Sequence, residues 1–291
     1  MPHIPVLLNE VMEILKPGKG EFFIDATFGR GGHSEKILEA IGEEGTLLAI
    51  DWDEKAKERN EKILKRKNVI FANANYAKVK DILKEKNLPA ADGLLLDLGF
   101  SSDQLEESGK GFSFKKDEPL IMSYGENGLT AREVVNSYPQ EALEEIIRNL
   151  GEERFAGRIA RNIAENRRKA PIQTSFQLAE IIRRAVPGGY ERGRIDPATR
   201  TFQAFRIYVN GELDNLKAIL DDLGIILKAG GRAAIISFHS LEDRIVKNHF
   251  RDLKNQGKAE LLNKKVIIAS REEAAINPRS RSAKLRGIIL K

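Results

Sequence analysis

The chain has 291 residues, a formal net charge of +5, 41% hydrophobic and 31% charged residues, and no cysteine. That length and apolar content suit one large domain or two ordinary ones with a real core, and they exclude a disordered chain. Without cysteine there is no disulfide framework, thiolate metal site, iron–sulfur cluster or cysteine nucleophile, and four histidines (His3, His33, His239, His249) argue against a His-rich centre, so no metal is expected.

The opening Met1–Pro5 lacks a basic region followed by an apolar run, and no stretch reaches the length of a membrane span. A cytoplasmic protein with no membrane partner is the expectation. From Glu21 to Asp97 strand-like and helix-like patterns alternate. Glu21–Ala26, Gly45–Asp51, Asn68–Ala72 and Gly93–Asp97 read as strands, and Ser34–Ile41, Glu54–Arg66 and Tyr76–Lys86 read as helices. Such βαβ units imply a parallel sheet buried on both faces.

After Gly99 the rhythm changes. Ser101–Gly128 reads as a long irregular connection, and helical patterns without strands follow. Thr130-Ala-Arg-Glu133 and Thr174-Ser-Phe-Gln177 are capping boxes that open helices, and Pro187-Gly188-Gly189 stops one. The α/β rhythm returns with a helix over Leu213–Leu227, a turn at Lys228–Gly231, a strand over Arg232–Phe238 and a helix over Leu241–Phe250. Two last strands, Val266–Ala269 and Lys284–Leu290, are expected to pair antiparallel because no helical pattern separates them. The domains expected are a discontinuous core, 1–105 with 211–291, and an all-helical insertion, 106–210.

Asp25-Ala-Thr-Phe-Gly29-Arg-Gly31-Gly32-His33-Ser34 follows the first strand and opens a helix, and Asp51 ends the next strand. Glycines there permit a tight turn and close ligand approach, and an acid at that distance accepts hydrogen bonds from ribose hydroxyls. Ser34 stands where a dinucleotide fingerprint has its last glycine, and the Gly-Lys-Ser/Thr of a P-loop is missing. An acid ahead of the glycines suits a cofactor with a cationic end, such as S-adenosylmethionine.

Asp97-Leu-Gly-Phe100 ends the fourth strand, beside the point where ligands bind in such sheets. Asp97 is the catalytic candidate: its carboxylate accepts from a substrate amine while Phe100 stacks on the base. The alternative is that Asp97 caps a turn and Phe100 fills core. His239, after the fifth strand, is either a general base or a structural hydrogen-bonder with Ser240 as the helix cap.

Basic residues cluster in two places, ten against four acids over Arg161–Asn210 and six against two over Arg271–Lys291. They suggest a polyanionic partner or a solvated face. Arg167, Arg168, Arg194, Arg200, Arg279 and Arg281 are the candidate contacts to such a polyanion. A Rossmann oxidoreductase and a non-catalytic RNA-binding or ribosome-assembly factor would share parts of this pattern.

Several motifs together resemble one family: His3-x-Pro5-Val-Leu-Leu-x-Glu10, Asp25–Ser34, Leu95–Leu105, Gly111-Phe-Ser-Phe114, Gly151–Phe155, Ala198–Gln203, Ile236–Arg244 and Asn277-Pro-Arg-x-Arg281. The chain is similar to the bacterial small-subunit ribosomal RNA (cytosine-N4)-methyltransferases, the RsmH or MraW family, from residue 3 to about 286. The resemblance implies a Rossmann-like S-adenosylmethionine-dependent methyltransferase sheet, mostly parallel with an antiparallel last strand, and a helical inserted domain that helps recognise RNA. It implies N4-methylation of a cytidine in the decoding region of 16S rRNA within the small ribosomal subunit. The cofactor positions fall on Gly31, Gly32, His33, Asp51, Tyr76, Asp97 and Gln104. One loop departs from the family pattern, with Glu118, Ile121 and Ser123 in place of a glycine, an acid and an arginine.

Overall fold

The computed structural model describes residues 4–99, 108–125, 128–190 and 195–291. The chain forms two compact units, Met1–Gly99 with Leu213–Lys291, and Phe100–Glu212.

The first unit begins with helix α1 (Leu8–Leu15), which the sequence reading did not anticipate. Then come β1 (Phe22–Asp25), α2 (Gly32–Ile41), β2 (Thr46–Asp51), α3 (Lys55–Arg59), α4 (Glu61–Leu64), β3 (Val69–Asn73), α5 (Val79–Glu85) and β4 (Ala91–Asp97). The helix expected over 54–66 is split at Asn60, whose side chain donates to the carbonyls of Gly29 and Ala56. Tyr76–Lys78 forms a single 3₁₀ turn ahead of α5, capped by the Asn75 side chain.

After the second unit the chain supplies α11 (Glu212–Asp221), α12 (Leu223–Ile226), β5 (Leu227–Ser237), α13 (Ser240–Asn255), β6 (Ala259–Leu261), α14 (Arg271–Ile276) and β7 (Lys284–Leu290). The strands form one seven-stranded sheet in the order β3-β2-β1-β4-β5-β7-β6. β1 to β5 are parallel, and β7 runs antiparallel to both β5 and β6. This is the expected methyltransferase sheet with its reversed last strand.

Two details differ from expectation. Lys228–Gly231 is not a separate turn; it lies inside β5, where pairing with β4 slips between Ala91 and Gly93. The strand expected at Val266–Ala269 is reduced to one bridge, Ile267 to Leu285, and the edge strand is the shorter β6. Asn263 explains the displacement. Its side chain donates to the Leu285 carbonyl and accepts from the Gly287 N–H, so it occupies groups that a longer neighbouring strand would use.

Side chains alternate across the sheet as strand geometry demands. Phe22, Ile24, Leu48, Ile50, Leu94, Leu96 and Ile235 pack with α5, α11, α12 and α13 on one face. Phe23, Leu47, Leu95 and Ile236 pack with α1 and α2 on the other. Both faces are therefore covered, and the free edges of the packing are the strand ends.

The second unit is helical: α6 (Ala131–Ser137), α7 (Gln140–Gly151), α8 (Ala156–Arg167), α9 (Ser175–Ala185) and α10 (Ala198–Asn210). Thr130 with Glu133 and Thr174 with Gln177 close the two expected capping boxes. Its own core gathers Val134, Leu143, Ile159, Ile163, Leu178, Ile182 and Phe205. Among the described residues, no helix is long and apolar enough to cross a membrane.

Candidate active site

β2, β1 and β4 are neighbours, and each ends in an aspartate: Asp51, Asp25 and Asp97. Strand order reverses between β1 and β4, which is where open parallel sheets bind ligands at their carboxyl edge. The sheet itself therefore brings the three acids together.

Each acid has a different set of partners. Asp25 is 1% exposed; Oδ2 accepts from Ser34 Oγ at 2.7 Å and Oδ1 from the Thr27 N–H at 3.2 Å. The serine that breaks the dinucleotide fingerprint is thus a buried donor to the acid ahead of the glycines. Asp51 Oδ2 accepts from the Gly29 N–H at 2.6 Å and Oδ1 from the Asp53 N–H at 2.7 Å. Each oxygen retains a second lone pair for an incoming hydroxyl. Asp97 donates its N–H to Thr27 Oγ1 at 2.6 Å, while its carboxylate accepts one long bond, 3.4 Å, from the Gly99 N–H. The Asp97 side chain is 20% exposed, so it is the acid that reaches outward.

The glycine turn is fixed by close approach. Gly31 has φ +73°, and a Cβ there would run into Ile63. A Cβ on Gly32 would collide with Pro5. The segment ahead of α1 also supplies the Val6 carbonyl, which lies 3.0 Å from His33 Nε2. A carbonyl only accepts, so Nε2 carries the proton and Nδ1 is left bare, 3.9 Å from Asp97 Oδ2. Burial pushes the His33 imidazole below its ordinary value, which keeps it neutral.

The acids are held at an electrostatic cost. Burial pushes Asp25 up to about 6, against the hydrogen bond from Ser34. It pushes Asp51 up to about 6, against bonds from Asp53 and Gly29. Asp97 rises to about 7 through burial, with the charge of Glu242 adding to it. Three carboxyls raised together at neighbouring strand ends favour a cationic ligand.

The remaining expected residues fall as follows. Tyr76 is half-buried in the turn after β3 and packs against the sheet core. Phe100, Gln104 and Arg194 lie outside the described residues. His239, not Ser240, caps α13: its Nδ1 accepts from the Glu242 N–H, and Glu242 reaches back to the N–H groups of Phe238 and His239. The structural alternative for His239 is the one observed. Thr27 and Ser34, which orient Asp97 and Asp25, were not singled out from sequence, and Ser34 was read only as a missing glycine.

In the second unit Arg168 is exposed, whereas Arg167 donates to the Val135 carbonyl at 2.7 Å and Arg200 to Tyr190 Oη at 3.0 Å. Arg279 and Arg281 occupy the 3₁₀ turn Pro278–Ser282, and Arg281 Nε donates to the Ala274 carbonyl at 3.3 Å. The departing loop is tied down locally. Glu118 Oε2 accepts from the Gly111 N–H at 2.9 Å, Ile121 N–H donates to the Lys110 carbonyl, and buried Ser123 donates to the Gly125 carbonyl at 3.0 Å.

Comparison with known proteins identifies the family. The family model described as the MraW methylase family matches residues 1–290. The chain is 46% identical to a ribosomal RNA small subunit methyltransferase H of Syntrophotalea carbinolica, with 98% of this chain and 97% of that protein aligned. Proteins of the same name from Syntrophus aciditrophicus and Clostridium botulinum are 45% and 43% identical, again across 98% of this chain and 96% and 97% of theirs. This similarity sets aside the oxidoreductase alternative, and the chain belongs to the MraW methylase family.

Proposed function

We propose that this protein transfers the methyl group of S-adenosylmethionine to N4 of a cytidine in the decoding region of 16S rRNA, acting in the cytoplasm on the small ribosomal subunit. The observation that carries the reading is the convergence of Asp25, Asp51 and Asp97 at the carboxyl edge of three adjacent strands, each held above its ordinary pKa. Buried carboxyls of that kind gain most from a ligand that brings positive charge. S-adenosylmethionine fits that donor set, and when bound it supplies an electron-poor methyl carbon. The names of the relatives, which act on small-subunit ribosomal RNA, support the substrate class.

The roles follow from position. Asp51, with a free lone pair on each oxygen, takes the ribose hydroxyls, and Tyr76 offers a ring for adenine. Asp25, Gly31, Gly32 and His33 line the charged end, and Gln104 belongs to the same set by its place in the motif. Asp97 reaches outward and accepts N4–H bonds from the cytosine amine, with Phe100 as the stacking partner. The amine is a weak nucleophile because its lone pair is conjugated with the ring. Asp97 stabilises the positive charge that develops on it in the transition state. Holding the two reactants in register is worth about 7–11 kcal/mol in favourable cases. The proton leaves after alkylation, so no strong base is needed. Cytosine must be unstacked to reach the strand ends.

Arg167, Arg168, Arg194 and Arg200 of the helical unit, with Arg279 and Arg281 of the core, contact the RNA backbone, which makes the affinity salt-dependent. The test is transfer of label from tritiated S-adenosylmethionine to under-modified small subunits, followed by nucleoside mapping. N4-methylcytidine at one position is expected. Bound RNA without any transfer would identify a non-catalytic assembly factor instead.

A further inference from the structure

At the end of β5 a cavity of about 330 Å³ opens beside Phe238. It is walled by Phe238–Ser240, by residues around the start of α14, and by the chain entering β7. Arg271, Arg281 and Lys284 line it, together with Ser240, Ser270 and Ser282, and among the described residues no acidic residue does. Asp243, the nearest counter-charge to Lys284 at 3.7 Å, is already held by both Arg286 Nε at 2.7 Å and Nη2 at 3.2 Å.

One further feature points to an anion. The sixteen-residue helix α13 begins at Ser240, so the positive end of its dipole faces this region. His239 also belongs to the cavity wall; its side chain is 9% exposed, and its Nε2 is shut away from the cavity. Because Nδ1 accepts from the Glu242 N–H, Nε2 is the protonated nitrogen. Glu242 Oε1 lies 3.1 Å from that nitrogen, so the imidazole N–H is turned toward a buried carboxylate and the ring only backs the cavity wall.

The cavity is coupled to the candidate active site through one contact. Gly99, two residues beyond Asp97, has no room for a side chain because a Cβ would sit 2.6 Å from the Phe238 ring. Phe238 therefore touches both the turn after Asp97 and the cavity. We propose that this cavity seats one backbone phosphodiester of the substrate RNA, next to the nucleotide presented to Asp97, and so fixes which nucleotide is methylated. The inference rests on the reading of the protein as an RNA methyltransferase. It adds Arg271 and Lys284 to the residues that touch substrate, and it makes Arg281 part of the same site.

The experiment pairs Arg271→Ala/Lys284→Met with Lys84→Ala, which removes one charge from the end of α5 at the opposite edge of the sheet. Small-subunit RNA binding is measured against salt, and methyl transfer against RNA concentration. Loss of the seat should raise KM for RNA about 10-fold at fixed salt and reduce the salt slope by about 1 for each phosphate that is no longer neutralised. Affinity for S-adenosylmethionine should stay at the wild-type level, which also certifies the fold. In the wild-type protein, RNA should shield Lys284 from acetylation, and inorganic phosphate alone should not. An unchanged KM and slope in the double variant, or acetylation of Lys284 that RNA does not slow, overturns the seat while leaving the methyltransferase reading intact. Wild-type protein that neither binds nor methylates RNA overturns both.

Discussion

Asp97 and Glu153 are carboxylates with depressed access to water, one partly exposed in the sheet unit and one buried in the helical unit, and they are held in opposite ways. Glu153 is fully enclosed in the helical unit. The Tyr190 hydroxyl lies 2.8 Å from both its oxygens, the Phe155 N–H donates to it at 2.8 Å, and Arg200 Nη1 stands 3.9 Å away while also donating to Tyr190. Arg154 stacks over Phe155 and Tyr190 at 4.8 Å from each ring, closing the cluster with another cation. Among the described residues, the Asp97 carboxylate accepts one long hydrogen bond; it has a neutral imidazole at 3.9 Å and is pushed up to about 7. A satisfied buried charge holds a fold together, and an unsatisfied one stores a demand that a ligand meets. The helical unit uses its acid for structure, and the sheet unit keeps its acids for chemistry.

The largest effect that tests this contrast is Asp97→Asn. Methyl transfer should fall by about 100-fold to 1000-fold or more, because a group aimed at developing charge is lost. The same change should leave the ligand-free protein more stable at pH 8, by about 0.5–2 kcal/mol, since a buried ionised group has gone. A lower melting temperature for Asp97→Asn at pH 8 would contradict the reading of Asp97 as a strained group. Glu153→Ala should do the reverse. It strands Tyr190 and Arg200 without their acceptor and should cost about 3–5 kcal/mol in a denaturant melt. If Glu153→Ala were neutral, the proposed difference between the two units would disappear.

Acidity sharpens the same point. Asp25 and Asp51 sit at about 6 and Asp97 at about 7, all above the ordinary value of 3.8. Between those limits the folded protein holds more protons than the unfolded chain, so the contribution of these groups to stability falls as pH rises through that window and then levels off. The stability gap between Asp97→Asn and wild type should therefore widen from pH 5 to pH 8. Binding of S-adenosylmethionine should pull the other way. It favours the ionised carboxyls, so affinity rises with pH and protons are released on binding near pH 6. Calorimetry in two buffers of different ionisation enthalpy reads that release directly, and identical heats in both would refute the linkage.

Much of the sheet unit was legible because its signals are local. Apolar runs ending in acids gave β1, β2 and β4, and the glycines between Asp25 and Ser34 gave the turn. Threonines three residues ahead of Glu133 and Gln177 gave the caps. What escaped was set by partners distant in sequence. α1 carries no side-chain cap and begins after Leu7 in a left-handed conformation, φ 53°, so no start signal marks it. The edge strand is displaced to β6 because Asn263 binds Leu285 and Gly287, more than twenty residues on. Glu153 looks like one charge in a polar run, and its burial is decided by Tyr190, 37 residues later. Thr27 acquires a role only because β4 lies beside β1, which brings the Asp97 N–H to its hydroxyl.

The smallest effect concerns the residue that sequence comparison with dinucleotide sites made look like a defect. Ser34 is completely buried, and its hydroxyl is the one side-chain donor, among the described residues, that reaches Asp25. Ser34→Ala leaves the volume nearly unchanged and removes that bond, at about 1 kcal/mol of stability. The carboxyl of Asp25, already raised by burial, then rises further, so less of it is ionised at neutral pH. Affinity for S-adenosylmethionine should drop about 3-fold to 10-fold at pH 7 and recover most of the loss at pH 8.5, where Asp25 is ionised in either protein. A deficit that is equal at both pH values would mean that Ser34 shapes the turn and does not tune the acid. In that case the contrast with Glu153 would rest on Asp97 alone.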